Sequence, residues 1–530
     1  MLLKNRKQML AVWMSVGSWT VLNLPAQLND VVQSPNTENA GIRKSLPQQV
    51  GASRGDVMTP DSSVFIIRRD PFRSIRRGRQ LFQRKFRVAE GVGPRKGPDG
   101  VGSLDEDAER GAGLADSCAA CHAMPRGSAG HGGSVFTRPD NRQAPHLFGL
   151  GLQEMLADEI TQDLRAIRAA ALAQAARTGK PVTGALTSKG IEYGTLRALP
   201  DGTVENSAVQ GVDPDLRVKP FFADGRQFSM RQFAVGAFQA EMGLQAVDPD
   251  LLAASKGALV TTPSGLVIDG SLDPVGSPPA PDAASDPDGD GIPNEIDVAL
   301  VDHMEFYLLH YFKAGAYEQT NATRQGRRIF ERIGCARCHI PDLLIENDRR
   351  IADVETVFDA ERGIFNSLFA TAGAFFRTVD DGSGFPDLKL PVPGRTFLVR
   401  NIFTDFKRHD LGPGFHEINF DGSVTTQFVT EPLWGAGTTA PYGHDGRSIN
   451  LTEVILRHGG EAQEERDAFQ RLPAPYKEDL LALLNSLVLF PPDDTASNLD
   501  PGNPATPGFP QRGHGSIRLT TLFNNPADIE

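Results

Sequence analysis

The four cysteines of the chain form two short motifs whose residue types and spacing can do chemistry. Cys118-Ala-Ala-Cys121-His122 and Cys335-Ala-Arg-Cys338-His339 both follow the pattern C-x-x-C-H. Two thiols three positions apart on one helical turn can bond to the two vinyl groups of one porphyrin, and the next residue can place an imidazole on its iron. We therefore predict two covalently attached haems c, with His122 and His339 as proximal iron ligands.

Other uses of these cysteines fit the spacing less well. Two disulfides would be the simplest use of four cysteines in an exported protein. A zinc site would need all four cysteines in one place, and no accompanying pattern suggests this. A redox dithiol would explain one motif, but not two motifs that consume every cysteine of the chain.

Short amphipathic helices are predicted to lead into both motifs. Gly326-Arg-Arg-Ile329-Phe330 comes directly before the second motif, and Gly78-Arg-Gln-Leu81-Phe82 is a similar segment before the first. About three dozen residues rich in glycine and charge separate Phe82 from Cys118. The first haem region is therefore expected to carry an insertion that the second lacks.

Length and charge limit the class of protein. The chain has 530 residues, enough for two or three domains with buried cores. A net charge of −12 argues against nucleic acid or an anionic membrane as a partner. The 54 glycines and 38 prolines predict many turns and long loops.

The N-terminus resembles a secretory signal. Lys4, Arg6 and Lys7 precede a mostly apolar run over residues 9–24, and Ala26 offers a cleavage position. Polar residues interrupt the run, so it is a poor membrane span, and no later segment is apolar enough to cross a bilayer. The alternative is an unordered cytoplasmic N-terminus. Haem attachment takes place outside the cytoplasm, so the motifs favour export to a periplasmic or secreted location.

The fold class predicted is mainly α, with two cytochrome c-like haem domains, the first elaborated by β-hairpins and long loops. Helices are predicted over 152–177, 232–242, 298–312, 451–457 and 476–487, and β-hairpins over 181–222. The predicted division is a signal peptide (1–26), a flexible lead (27–60), an N-terminal haem domain (61–261), a linker (262–320), a C-terminal haem domain (321–490) and an extended tail (491–530).

An acidic loop in the predicted linker has the spacing of a calcium site. Asp286, Asp288 and Asp290 stand at positions 1, 3 and 5 of the loop, Gly291 at position 6 and Asp297 at position 12. Oxygen ligands at this spacing predict bound calcium, although position 12 is usually a glutamate. A solvated acidic turn is the alternative.

Several further motifs surround the second C-x-x-C-H in a fixed order. They are Pro432-Leu-Trp434-Gly, Ala440-Pro-Tyr-Gly-His444-Asp-Gly-Arg447, His458-Gly-Gly-Glu461-Ala and Thr404-Asp405-x-x-x-His409-Asp410-x-Gly412, with Leu147-Phe-Gly-Leu-Gly151 near the first. Over roughly residues 70–490 the chain resembles the di-haem oxidoreductases that are related to bacterial di-haem cytochrome c peroxidases.

This resemblance implies a sixth ligand for the second haem. In the peroxidases the ligand lies fourteen residues after the histidine of the H-D-G motif, and here that position is His458. His444 and His409 are the rival ligands, and a surface histidine at a helix end is the alternative for His458. The peroxidases usually have methionine at this position, so histidine would lower the potential of the haem.

The resemblance also implies a distal helix over the first haem. By it, Glu241 is the acid–base group that helps to split an O–O bond, and Gln232 orients peroxide. The alternative is an amphipathic helix with one solvated glutamate. Phe238 corresponds to a phenylalanine at the dioxygen face of the related haem-dependent rubber oxygenases. The tryptophan relay of the peroxidases is in doubt, because Trp434 is the only tryptophan left after signal cleavage. His131 and His146 are further candidates to approach the first haem.

The function expected from these features is an oxidoreductase, a peroxidase that reduces hydrogen peroxide. Its electrons would come from a small periplasmic donor, a cytochrome c or a copper protein. One alternative is an oxygenase or oxidase that acts on an organic or protein substrate with dioxygen or peroxide. The other is an electron-transfer cytochrome in which both irons have two protein ligands.

Overall fold

The computed structural model describes residues 45–93, 115–122, 128–132, 134–135, 142–311, 319–354, 356–359, 363–368, 373–419 and 421–488. The predicted signal peptide, residues 27–44 of the predicted flexible lead and the predicted tail at 491–530 lie outside the described residues.

The described helices agree well with the sequence predictions. The helix predicted over 152–177 is observed over Leu150–Thr178. It ends before Gly179, which has the positive φ of a helix C-cap. The helices are α1 Leu46–Val50, α2 Ser63–Arg69, α3 Pro71–Gln83, α4 Cys118–Cys121, α5 Leu150–Thr178, α6 Met230–Met242, α7 Pro249–Ser255, α8 Val298–His310, α9 Asn321–Arg332, α10 Leu451–Arg457, α11 Gln463–Arg471 and α12 Ala474–Asn485.

The strands are short and pair antiparallel. In the first half they are β1 Ser134–Val135, β2 Arg142–Gln143, β3 Val182–Ser188, β4 Ile191–Ala198, β5 Val204–Glu205, β6 Leu259–Thr261 and β7 Val267–Asp269. In the second half they are β8 Leu343–Ile345, β9 Ala352–Asp353, β10 Thr356–Asp359, β11 Gly363–Leu368, β12 Gly373–Ala374, β13 Phe376–Val379, β14 Leu388–Pro391, β15 Phe397–Val399, β16 Arg408–His409, β17 Glu417–Ile418, β18 Val424–Thr425 and β19 Phe428–Val429.

The fold class is mixed helix and strand, so the prediction of a mainly α protein is borne out only in part. The expected hairpins at 181–222 form the three-stranded sheet β3–β4–β5. Most other strand pairs lie between residues 343 and 429, in the half that was expected to be helical. Some of these pairs join distant segments: β8 pairs with β15, with Leu344 opposite Leu398. Local sequence patterns do not reveal such pairings.

One helix packing occurs twice in the chain. Helix α3 packs against α8 at Gly78, where a Cβ atom would collide with the carbonyl oxygen of His303. Helix α9 packs against α12 at Gly326, where a Cβ atom would collide with the carbonyl oxygen of Asp479. Each lead-in helix thus uses the glycine of its G-x-x-(L/I)-F segment to approach a closing helix. A lead-in helix, the C-x-x-C-H motif after it and the closing helix form one unit, and the chain has two such units. In the first unit the closing helix is α8, which was predicted to lie in the linker.

Two apolar cores lie in the described part of the chain. The larger core runs from α2 to Trp434 and includes Phe82, Phe238 and Tyr307. The smaller core lies around α9 and α12, and Phe403 joins it from the long segment between them. Leu343, Ile402 and Phe406, within the predicted C-terminal domain, pack into the larger core. None of the described helices is both long enough and apolar enough to cross a bilayer.

Residues 45–60, which the sequence analysis assigned to the flexible lead, pack onto the body of the protein. The Ser53 hydroxyl donates to Asp297 at 2.7 Å. Arg54 forms ion pairs with Asp250 at 2.8 Å and with Asp302 at 2.6 Å. Asp302 is fully buried in α8, so this segment is anchored to the closing helix of the first unit.

Candidate functional site

The first C-x-x-C-H motif forms the short helix α4, with its cysteines and His122 half-buried. Nδ1 of His122 donates a hydrogen bond to the carbonyl oxygen of Pro145 at 2.7 Å. This bond leaves Nε2 as the nitrogen able to ligate iron, an arrangement typical of metal-bound histidine. The ring of Phe82 from the lead-in helix packs against His122 at 6.2 Å between centroids.

The second motif repeats this geometry. Nδ1 of His339 donates to the carbonyl oxygen of Phe403 at 3.0 Å. Phe330 packs against His339 at 6.1 Å between centroids with 53° between the planes, against 54° for Phe82 and His122. The phenylalanine of each G-x-x-(L/I)-F segment therefore supports the histidine of the motif that follows.

The residues present fit a haem at each motif and fit the alternatives poorly. All four cysteines are described, and none forms a disulfide. Burial raises the pKa of the Cys118 and Cys335 thiols to about 12, whereas a redox dithiol needs a lowered pKa. Burial also lowers the pKa of His122 and His339 to about 4, so both rings are neutral and able to ligate a metal.

A zinc site that unites the two motifs is not formed by the described residues. Their metal-ligating atoms converge in two groups: Cys338 with Asp405 and His409, and the three acidic residues of the predicted calcium loop. Neither group contains cysteines from both motifs. The two motifs therefore act as two separate sites.

His458 lies at the C-terminal end of α10, and its environment suits an iron ligand. Nδ1 donates to the carbonyl oxygen of Val454 at 2.7 Å, which leaves Nε2 available. Phe415 packs edge-on against the ring at 5.3 Å between centroids. His458 is close enough to the second motif that positive charge on it lowers the pKa of His339, after the larger effect of burial.

The two rival histidines contact carboxylates, His409 through both ring nitrogens and His444 through Nε2. His409 contacts Glu461 through Nδ1 at 2.8 Å and Asp405 through Nε2 at 3.0 Å. Nε2 of His444 lies 3.1 Å from Glu417, and its ring stacks on Phe428 at 4.1 Å. The two carboxylate contacts of His409 occupy both of its ring nitrogens, so His409 is the weaker of the two rivals as an iron ligand.

Helix α6 brings Glu241 close to the first motif, and Phe238 lies one turn earlier on the same face. The charge on Glu241 raises the pKa of the Cys121 thiol, after burial, so the carboxylate lies near that cysteine. The Glu241 carbonyl oxygen accepts a hydrogen bond from the Ala115 amide, three residues before Cys118. Phe238, one turn earlier on the same face, is 1% exposed and packs against Phe86 at 6.4 Å between centroids.

Gln232 does not share that face. Nine positions separate it from Glu241 on one continuous helix, and at roughly 100° per residue the two side chains project from opposite sides. The Ser229 hydroxyl donates to the Gln232 side-chain oxygen at 3.3 Å. The expectation that Gln232 and Glu241 overhang one haem together is therefore corrected: Gln232 belongs to the start of the helix and its capping turn.

Arg231 is a positioning residue that the sequence analysis missed. Its guanidinium is fully buried and lies 2.9 Å from Asp302 and 2.7 Å from Glu305, both in α8. It also lies 2.7 Å from Asp248. Arg231 thus joins the helix of Glu241 to the closing helix of the first unit. In the sequence, the feature that could have indicated this role is a single arginine within an otherwise mostly apolar stretch.

The predicted calcium ligands are only partly brought together. Carboxylate oxygens of Asp286, Asp288 and Asp290 converge within 4.8 Å of one another. Asp297 does not join them, because its carboxylate accepts hydrogen bonds from the Ala299 amide at 2.8 Å and from Ser53 at 2.7 Å. Asp297 is the N-cap of α8, which accounts for an acidic residue at that position.

Comparison with protein families gives one match. The family described as "Di-haem oxidoreductase, putative peroxidase" matches residues 379–487. This stretch contains His409, Trp434, His444 and His458 and begins after the second C-x-x-C-H motif. The resemblance to di-haem oxidoreductases predicted from the sequence is confirmed over these residues. No curated protein matches the chain.

Two solved structures show limited similarity. One is hydrazine synthase from Kuenenia stuttgartiensis, at 15% identity, with a TM-score of 0.20, covering 36% of this chain and 55% of that one. The other is a MauG-like protein associated with microbial copper homeostasis, at 16% identity, with a TM-score of 0.19, covering 36% and 53%. The matches span about half the length of each solved chain, and scores this low do not establish a common fold.

Proposed function

Because residues 379–487 match the family described as "Di-haem oxidoreductase, putative peroxidase", we propose that the chain is an exported c-type cytochrome that reduces hydrogen peroxide. Electrons would come from a small periplasmic donor, a cytochrome c or a copper protein. One observation carries the proposal. The histidines of the two motifs are supported alike, but the second motif has His458 nearby with Nε2 free of its bond to Val454, whereas the first has Glu241 nearby.

Each of the two proposed haems has its own set of cysteine and histidine residues that would bind it. Cys118, Cys121 and His122 would hold the first haem, and Cys335, Cys338, His339 and His458 the second. A haem iron with one protein ligand supplies an open coordination position at which a peroxide O–O bond can be reduced. An iron with two histidine ligands is closed to substrate and suits electron passage.

Glu241 is the proton carrier in this proposal. Its carboxylate takes a proton from the oxygen of peroxide that approaches the open side of the first site, and returns it to the departing oxygen. Two electrons and two further protons complete the conversion of one hydrogen peroxide to two waters. Phe238 packs against Phe86 one helical turn before Glu241, which gives the carboxylate an apolar neighbour.

Replacement of Glu241 tests this assignment. Glu241→Gln keeps the shape of the side chain and removes its ability to carry a proton, so peroxide turnover with reduced cytochrome should fall by about 10²–10⁴-fold. Haem content should be unchanged. Glu205→Gln is the matched control, because Glu205 is exposed and pairs only with Arg197 among the described residues. Full turnover in Glu241→Gln would refute the role, and no turnover in the wild type would refute the peroxidase.

Phe238 supports a second candidate function. The Phe238–Phe86 pair is an apolar contact on the same helix face as Glu241, and apolar surroundings favour bound dioxygen over charged intermediates. The second candidate function is therefore a haem-dependent oxygenase or oxidase that acts on an organic or protein substrate. Consumption of dioxygen with such a substrate, in the absence of peroxide, would select the oxygenase over the peroxidase.

Export and calcium complete the proposal. Covalent haem attachment outside the cytoplasm supports a periplasmic or secreted location.

In the proposal, Asp286, Asp288 and Asp290 supply the oxygen ligands for calcium. Added calcium should then raise the melting temperature of the wild type but not that of Asp288→Asn. An equal response of both proteins would remove calcium from the proposal.

A further inference from the structure

Two consecutive residues, Pro145 and His146, join the histidine of the first motif to the segment around Trp434. The carbonyl oxygen of Pro145 accepts the hydrogen bond from Nδ1 of His122 at 2.7 Å. The ring of His146 donates from Nε2 to the carbonyl oxygen of Trp434 at 2.9 Å. Trp434 lies in the segment that precedes the helix of His458, 288 positions further along the chain.

A series of hydrogen bonds and covalent bonds connects Trp434 to His339, the second proximal histidine. The amide of Leu433, the residue before Trp434, donates to the carbonyl oxygen of Ile402 at 2.9 Å. Ile402 is bonded to Phe403, whose carbonyl oxygen accepts the hydrogen bond from Nδ1 of His339 at 3.0 Å. Four hydrogen bonds and short covalent segments therefore connect the imidazole of His122 to that of His339.

His146 is the side chain that closes this route. Burial lowers the pKa of His146 to about 4, so the ring is neutral near pH 7 and carries one proton, which the carbonyl of Trp434 requires on Nε2. Nδ1 is buried without a hydrogen-bond partner among the described residues. Among the described residues, the bond to Trp434 is therefore the hydrogen bond that fixes the position of this ring.

We propose that His146 is a positioning residue for electron transfer between the two haems, because it joins the hydrogen bond of one proximal ligand to that of the other. This inference rests on the proposed function. One electron, supplied by the small donor, leaves the second site and arrives at the first. No covalent bond forms or breaks, and each hydrogen bond keeps its proton.

A rival route runs through aromatic side chains. His146 packs against Phe148 at 5.4 Å, Phe148 against Tyr311 at 5.5 Å and Tyr311 against Tyr307 at 4.8 Å between centroids. Phe82 then links Tyr307 to His122. Every step of this route crosses a gap between side chains, whereas the route through Pro145 stays on bonds and hydrogen bonds.

The two routes are separated by matched variants of the di-haem protein. In the form with a carbon monoxide-bound reduced first haem and an oxidised second haem, a light flash releases the carbon monoxide and the electron equilibrates between the haems. His146→Leu should slow this equilibration about tenfold, the low end of the loss from removing a partner outside the ligand shell. His146→Gln should retain most of the rate, because its amide can donate to Trp434. Phe148→Leu should keep the wild-type rate.

Equal rates in His146→Leu and His146→Gln would overturn the proposal, as would a slower rate in Phe148→Leu alone. If His146→Leu does not mature, His146→Met, which likewise cannot donate to the Trp434 carbonyl, takes its place: a Met variant about tenfold slower than His146→Gln supports the proposal, and a Met variant as fast as His146→Gln overturns it. Failure of the proposed function has a different signature, since the wild type would then lack two covalent haems or would not bind carbon monoxide.

Discussion

Nδ1 of His458 lies 2.7 Å from the carbonyl oxygen of Val454, one helical turn earlier in the same helix. His122 and His339 make the same kind of bond to Pro145 and Phe403. Three histidines thus present Nε2 in one manner, and in the proposal two of them, His339 and His458, belong to the second site. This inequality between the sites is the basis of the proposed division into an electron-transfer haem and a reactive haem.

Replacement of His458 tests the ligand set of the second haem. His458→Met should raise the reduction potential of one haem, because methionine ligation raises the potential relative to histidine. His458→Ala should convert one low-spin haem to a high-spin form. His416→Ala is the control, since His416 is tied to Asp410 at 2.7 Å. Redox titration and visible spectra provide the measurements, and an unchanged potential in His458→Met would exclude His458 as a ligand.

Removal of one cysteine pair tests covalent attachment. The protein with Cys335→Ser and Cys338→Ser should carry one covalent haem, because the thioether bonds of the second motif cannot form. The protein with Cys118→Ser and Cys121→Ser should carry the other. Intact-protein mass spectrometry and haem spectra after denaturation count the haems. Two covalent haems in either variant would contradict the assignment.

The glycine contact between α9 and α12 predicts a stability effect. A Cβ atom at Gly326 would collide with the carbonyl oxygen of Asp479. Gly326→Ala should therefore destabilise the protein by about 1–3 kcal/mol, as overpacking of a tight contact does. Gly236→Ala, in α6, meets nothing within 4 Å and should stabilise by roughly 0.5–1 kcal/mol. Denaturant unfolding measures both, and equal effects would show that the helices are not in close contact there.

The buried carboxylate of Asp302 predicts a pH dependence. Burial raises the pKa of Asp302, but Arg231 and Arg54 lower it more, and the result lies below the ordinary value of 3.8. The unfolded chain therefore binds a proton at this group at higher pH than the folded chain, so stability is lost as pH falls below about 3.8.

Asp302→Asn isolates this contribution. The variant should be about 3–5 kcal/mol less stable than the wild type at pH 7, because Arg231 and Arg54 lose a buried partner. The gap between the two proteins should narrow as pH is lowered through the acid range. A gap that stays constant with pH would show that Asp302 is not ionised in the folded protein.

Local features of the site were accessible from the sequence. The C-x-x-C-H spacing, the G-x-x-(L/I)-F segments and the helices around Glu241 and His458 depend on neighbours within one or two turns. The nine positions between Gln232 and Glu241 are also local, and on one helix they place the two side chains on opposite faces.

The remaining features depend on contacts between distant residues. Helix α8 closes the first unit although it lies some 180 residues after Cys118, and only packing at Gly78 reveals its role. Asp297 has the spacing of a calcium ligand, but the free amide groups at the start of α8 compete for its carboxylate. The strands between 343 and 429 are short, and pairings such as Leu344 with Leu398 leave no local pattern.

The electron paramagnetic resonance spectrum of the oxidised protein tests the central claim most directly. Two unequal haems predict one low-spin signal, from iron held by His339 and His458, and one high-spin signal that changes when cyanide or peroxide is added. Two low-spin signals that ignore peroxide, cyanide and dioxygen would contradict the account and leave an electron-transfer cytochrome.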